Sequence, residues 1–153
     1  MTIKNILIIT YDWMPRNSIA VHRPYAWAKY WSKEGFSVTV LTAKKYSYDE
    51  PLGLNLPMLP SVDIIEIAYR NIETSVASKR NLITKYKEKL IWLLKKNSSA
   101  IKKILHINFD IRDAWAKCAI PVALELHESR RFDLIVSTYG PRACHFIGQS
   151  IKS

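Results

Sequence analysis

Two short stretches carry the side chains best suited to holding a polar ligand. The first, YDWMPRNSIAVHR, supplies Arg16, Asn17, Ser18 and Arg23, all able to donate to hydroxyls or to an anion. The second, STYGPR, supplies Ser137 and Thr138, then Gly140, which permits a tight turn, and Pro141, which suits the first position of a helix. Each stretch follows an apolar run and precedes a helical pattern, so unpaired backbone N–H groups add to the side-chain donors. Each also has a plainer use. Asn17 and Ser18 are common helix caps, and Ser-Thr-Tyr-Gly-Pro is ordinary turn chemistry.

Other chemistries find little support. No glycine precedes Gly35, which excludes both G-x-G-x-x-G and G-x-x-x-x-G-K-[ST] from the first loop, because each brings backbone up to phosphate where a Cβ would collide. Cys118 and Cys144 have no C-x-x-C spacing and no nearby histidine pair. Neither a disulfide framework nor a zinc site follows, and a reducing cytoplasm fits. His22, His106, His127 and His145 stand singly, and no Ser/His/Asp or paired-carboxylate arrangement singles out a catalytic residue. Asp110 and Asp113 beside Arg112 read as acids at a helix start.

The elements that must position the two stretches read as an α/β chain. NILIIT is a continuous apolar run, the pattern of a strand covered on both faces of a parallel sheet. A helix follows, capped by Ser18 or Asn17, with Ala20, Pro24, Trp27 or Ala28, and Trp31 on its inner face and Gly35 as its stop. Phe36 to Ala43 is a second strand, closing a right-handed βαβ unit. Lys44 to Ser61 holds three prolines and one glycine without a period, a loop longer than compact domains keep without a use. Val62 to Ala68 is a third strand. Helical spacing from Leu82 to Leu105 predicts one or two amphipathic helices, with a break near Asn97 to Ser99. A further helix, kinked or restarted at Pro121, leads to a fourth strand within Phe132 to Pro141 and a closing helix opened by Pro141. In an open parallel sheet ligands sit beyond the carboxyl ends of the strands, so a strand order of 3-2-1-4 sets the two ligand-holding loops side by side.

With 153 residues and a 48% apolar share, the chain is long enough to remove about 70% of its unfolded surface from water as one domain. Its opening apolar run is too short for a signal peptide, and no run reaches the roughly 18 apolar residues of a membrane span. The net charge of +10 is local: nine basic residues against one acid between Lys79 and Lys103 give +8 there. A solvated helix face accounts for this. So does an anionic membrane surface met by Lys85, Lys89, Trp92, Lys95 and Lys96. The aromatics are not interleaved with the cations in any nucleic-acid signature, so no specific nucleic acid is expected.

Two blocks resemble bacterial family 4-like glycosyltransferases. ILIITYDWMPRNSIAVHRPYAWAKYWSKEGFSVTVLTAKK is similar to the opening of that family, and DAWAKCAIPVALELHESRRFDLIVSTYGPRACHFIGQSIKS to a later block, in the same order. The resemblance implies a Rossmann-like three-layer α/β domain spanning 1–153, with about four mostly parallel strands in the order 3-2-1-4 and helices on both faces. It would be the incomplete amino-terminal, acceptor-side half of a retaining GT-B enzyme, ending before its own last strands. A separate carboxyl-terminal half would bind the nucleotide-sugar, and this chain alone would transfer nothing. No cofactor or metal is implied; the nucleotide-sugar is a substrate. The acceptor would be a glycan, lipid-linked, in surface polysaccharide synthesis. Arg16, Asn17, Ser18 and Arg23 would then face acceptor or donor phosphates, and Ser137, Thr138, Gly140 and Pro141 would form the facing wall. The expected location is cytoplasmic, peripheral on the inner face of the plasma membrane; the number of associating copies is left open. The rival reading is a noncatalytic α/β binding module that docks on anionic membrane or on a protein partner through its basic helix.

Overall fold

Isoleucine and leucine in an unbroken run need cover on both faces, and β1 (Asn5–Thr10) receives it: every residue from Ile6 to Thr10 is buried. The computed structural model describes residues 3–46, 51–69 and 112–152, within a unit made of 1–69 and 111–153. In it β1 pairs in parallel with β2 (Ser37–Ala43), register Ile6 to Val38, and with β4 (Leu134–Ser137), register Ile9 to Ser137. The strand β3 (Val62–Ile67) adds in parallel to β2. The sheet order is β3-β2-β1-β4 and all its pairings are parallel.

Alternation along the strands divides the core in two. Ile6, Ile8, Val38 and Val40 face α1 (Ile19–Lys33), meeting Tyr25 and Ala28. Leu7, Ile9, Leu41 and Ala43 face the other side, where α2 (Arg112–Arg130) brings Trp115, Ala116, Ala119 and Ala123 and α3 (Ala143–Lys152) brings Ala143, Cys144 and Ile147. The alanine stripe lets α2 approach closely, and Trp115, fully buried, fills the remaining space. The result is a three-layer α/β Rossmann-like fold with helices on both faces.

The ends of α1 follow local chemistry. Ser18 Oγ accepts from the Ala20 N–H at 3.3 Å, a cap on the first turn. At the far end Gly35 has φ +88°, and the Gly35 and Phe36 N–H groups donate back to Ser32 and Trp31 carbonyls at 3.3 and 3.1 Å. This paired return requires a left-handed residue that glycine supplies without strain.

Three expectations need correction. The buried stripe of α1 is Val21, Pro24, Tyr25 and Ala28; Ala20 is exposed, while Trp27 and Trp31 are half-buried and pack against the same cluster. Of the two alternatives at Pro121 the restart is not seen: α2 is continuous through it, with Pro121 on its exposed side. Pro141 does not open α3: it is buried two residues ahead of Ala143, and its carbonyl accepts from the Cys144 N–H at 3.3 Å in a preliminary turn. The basic positions Lys85, Lys89, Trp92, Lys95 and Lys96 lie outside the described residues. No helix among the described residues is long and apolar enough to cross a membrane.

Candidate functional site

The chain leaves β1 toward β2 on one side of it, while β4 lies on the other, so the connections diverge at the carboxyl ends of β1 and β4. Such a point opens a crevice in a parallel sheet. Here the two strand exits are fastened together. The Thr138 N–H donates to the Ile9 carbonyl at 3.0 Å, the Thr138 hydroxyl donates to Thr10 Oγ1 at 3.2 Å, and the Thr10 hydroxyl donates to the Asp12 carbonyl at 3.0 Å. Thr10 is fully buried, so this chain of hydroxyls fixes the first residues of both loops.

A pocket of about 350 Å³ opens between them, lined by Asp12 from the first loop, Ile19, Ala20 and Arg23 from the start of α1, and Thr138, Tyr139 and Gly140 from the second loop. That volume falls at the small end of ligand sites. Gly140 turns the chain at φ +80°, a conformation in which a side chain is strained, and this bend exposes the neighbouring Tyr139 ring. Asp12 is the more enclosed polar group, its side chain 14% exposed, with Oδ1 3.1 Å from Arg16 Nε. Arg23 is exposed at the mouth.

Of the residues singled out in the sequence, Arg23, Thr138 and Gly140 therefore meet in one cavity. The other five are not among the residues lining it. Arg16 pairs with Asp12, and Ser18 caps α1. The Asn17 N–H donates to the Pro51 carbonyl at 2.7 Å, and Gly53 and Leu54 donate to the Pro15 carbonyl at 2.8 and 3.0 Å. This is the use of the long loop after β2: its residues 51–54 bind the first loop edge-on, with Arg16 bridged to Leu52, and Tyr25 holds it through a 2.8 Å hydrogen bond to the Pro57 carbonyl. Ser137 lines a separate groove of about 740 Å³ along β4 and α3, where its hydroxyl lies 2.7 Å from His145 Nδ1. Pro141 is buried behind the second loop.

Asp12, Ile19, Ala20 and Tyr139 line the pocket without having been singled out as site residues. Asp12 had a weak signal in its position two residues past a buried strand, where loops that hold ligands begin; Ile19 and Tyr139 had none. Beneath the site, burial pushes the Cys144 thiol up to about 11, and the charge of Asp12 adds to that rise. Beside it, the Tyr11 ring lies between the Lys45 ammonium at 4.5 Å and the Arg112 guanidinium at 5.5 Å, and its hydroxyl meets that of Tyr69 at 2.6 Å. Among the described residues no group of three or more His, Cys, Asp or Glu side chains is placed to hold a metal ion.

Fold and site together define an open-sheet α/β domain with a small pocket of mixed polar and apolar lining at the divergence of β1 and β4. Compared with protein-family models, with curated proteins and with solved structures, the chain matches none.

Proposed function

We propose that this chain is the acceptor-side, amino-terminal part of a retaining GT-B glycosyltransferase, and that the pocket between the β1 and β4 loops receives the glycan acceptor. The observation that supports this reading is the meeting of Arg23, on the first turns of α1, with Thr138 and Gly140, at least 115 residues away in sequence, in one cavity at the carboxyl edge of the sheet. In this account the residues here bind and orient the acceptor hydroxyl and keep water from it, which is the positional share of a transfer reaction. The nucleotide-sugar is gripped by a domain outside these 153 residues, in keeping with a first loop whose backbone is already engaged by residues 51–54. The acceptor is lipid-linked in the full reading, and the enzyme works at the inner face of the plasma membrane.

Saturation-transfer NMR on the chain tests the assignment. Methyl glycosides of glucose, galactose, mannose and N-acetylglucosamine are offered alongside UDP- and GDP-sugars. Signal transfer to at least one glycoside and none to the nucleotide bases supports the acceptor-side reading. Transfer to the bases with none to any glycoside overturns it.

The charge of +8 between Lys79 and Lys103 favours a second reading, a binding module drawn to anionic membrane. Flotation with vesicles of phosphatidylglycerol and phosphatidylcholine, at low and high salt, separates the two. Salt-sensitive recovery with the anionic vesicles and no glycoside binding favours the module.

A further inference from the structure

We infer that the pocket admits a sugar in one orientation, with neighbouring hydroxyls on the Asp12 carboxylate inside and an anionic substituent against Arg23 at the mouth. This rests on the acceptor-site reading and adds to it the polarity of the ligand.

The two charges in the pocket are of opposite sign and unequal depth. Asp12 is held by its surroundings: buried Tyr11 and Trp13 flank it in sequence, its carbonyl accepts from Thr10, and Arg16 Nε stands beside Oδ1. A carboxylate offers about four lone-pair sites. Among the described residues no side chain other than that of Arg16 engages this one, so acceptor capacity remains where solvent access is small. Two adjacent sugar hydroxyls, each donating to one oxygen, meet that need. A phosphate in the same place would set like charges a few ångströms apart in a partly desolvated site.

Arg23 presents the complementary surface. It lies one turn beyond Ile19 on α1, so the two share a face, and among the described residues no carboxylate pairs with it. Ile19 and the Tyr139 ring, 89% and 83% exposed, give the pocket apolar walls against which the C–H face of a pyranose packs. Hydroxyls inward, C–H face on the ring and an anion outward make one consistent pose. Reversing it would strand Asp12 against the anion and Arg23 against neutral hydroxyls.

Binding of the methyl glycosides and of the corresponding sugar 1-phosphates is measured by titration calorimetry for the wild type, Asp12→Asn and Arg23→Gln. For each sugar bound, the 1-phosphate binds about fivefold tighter than the glycoside, and Arg23→Gln removes that advantage, weakening the 1-phosphate about fivefold more than it weakens the glycoside. Asp12→Asn weakens both ligands about tenfold. Deoxy sugars offered to the wild type keep the test independent of how Asp12→Asn folds: loss of one hydroxyl of the pair reproduces the Asp12→Asn effect. Glycosides bound equally by the wild type and Asp12→Asn, with deoxy sugars bound as well, overturn the inference and leave the acceptor-site reading standing. Absence of binding by every sugar overturns both.

Discussion

Thr138 and Thr10 stand hydroxyl to hydroxyl at 3.2 Å, tying the exit of β4 to the exit of β1. The contact spans 128 positions of sequence and fixes the two walls of the pocket relative to each other. Both hydroxyl donors are used, since Thr10 in turn donates to the Asp12 carbonyl.

That relay gives a first prediction. Thr138→Val and Thr10→Val each lower stability by about 1 kcal/mol, the loss being larger for Thr10 because the Asp12 carbonyl also loses its donor. The two substitutions are coupled, so the double variant loses less than the two singles together. Urea unfolding of the four proteins measures this; full additivity would show that the two hydroxyls act independently.

Asp133 gives a second. Its Oδ2 accepts the Asn5 N–H at 2.9 Å and the Lys4 N–H at 2.8 Å, and these bonds hold its carboxyl below the ordinary range, the Asn5 bond most of all. Because the folded state favours the ionised form, the stability this group contributes is present above the unfolded carboxylate value of about 4 and is lost as pH falls through the lower folded value. Asp133→Asn therefore flattens the acid side of a plot of melting temperature against pH and leaves its neutral-to-alkaline side parallel to that of the wild type. An unchanged acid slope would contradict this.

The cysteines give a third. Cys118 is exposed and Cys144 fully buried, with its thiol pushed up to about 11 by desolvation. A thiol reagent at neutral pH titrates one group in the folded chain and two in denaturant. The folded state keeps Cys144 protonated where the unfolded thiol ionises, above about pH 8.5, so its contribution to stability falls as pH rises from there toward the folded value. Cys144→Ala reduces that alkaline loss. Two fast-reacting thiols in the native protein would contradict the burial.

Much of this architecture is legible in the residues because the cues are local. The runs Ile6 to Ile9 and Val38 to Leu41 announce doubly covered strands, and Ser18 and Gly35 mark the ends of α1; the order 3-2-1-4 is what the resemblance implies, and the sheet has it. The misreadings come from tertiary choice. Pro121 is compatible with a continuous helix once it faces solvent, and Val21 rather than Ala20 takes the place against the sheet, a choice between adjacent apolar residues that periodicity alone does not make. The pocket was half legible. Arg23, Thr138 and Gly140 declare themselves by type and place; Ser18 is the helix cap its type suggests, whereas the Arg16 side chain turns to Asp12 and the Asn17 backbone N–H to Pro51, partners that only folding supplies. Asp12 looks like any loop acid until its neighbours Tyr11 and Trp13 are buried on either side of it.

The most direct test of the central claim follows backbone amide shifts in a uniformly 15N-labelled chain titrated with the methyl glycoside that binds best. The account predicts that amides of Asp12, Ala20 and Arg23 move together with those of Thr138, Tyr139 and Gly140, along one saturable curve. Shifts confined to the groove between β4 and α3, or to one of the two loops alone, would contradict it.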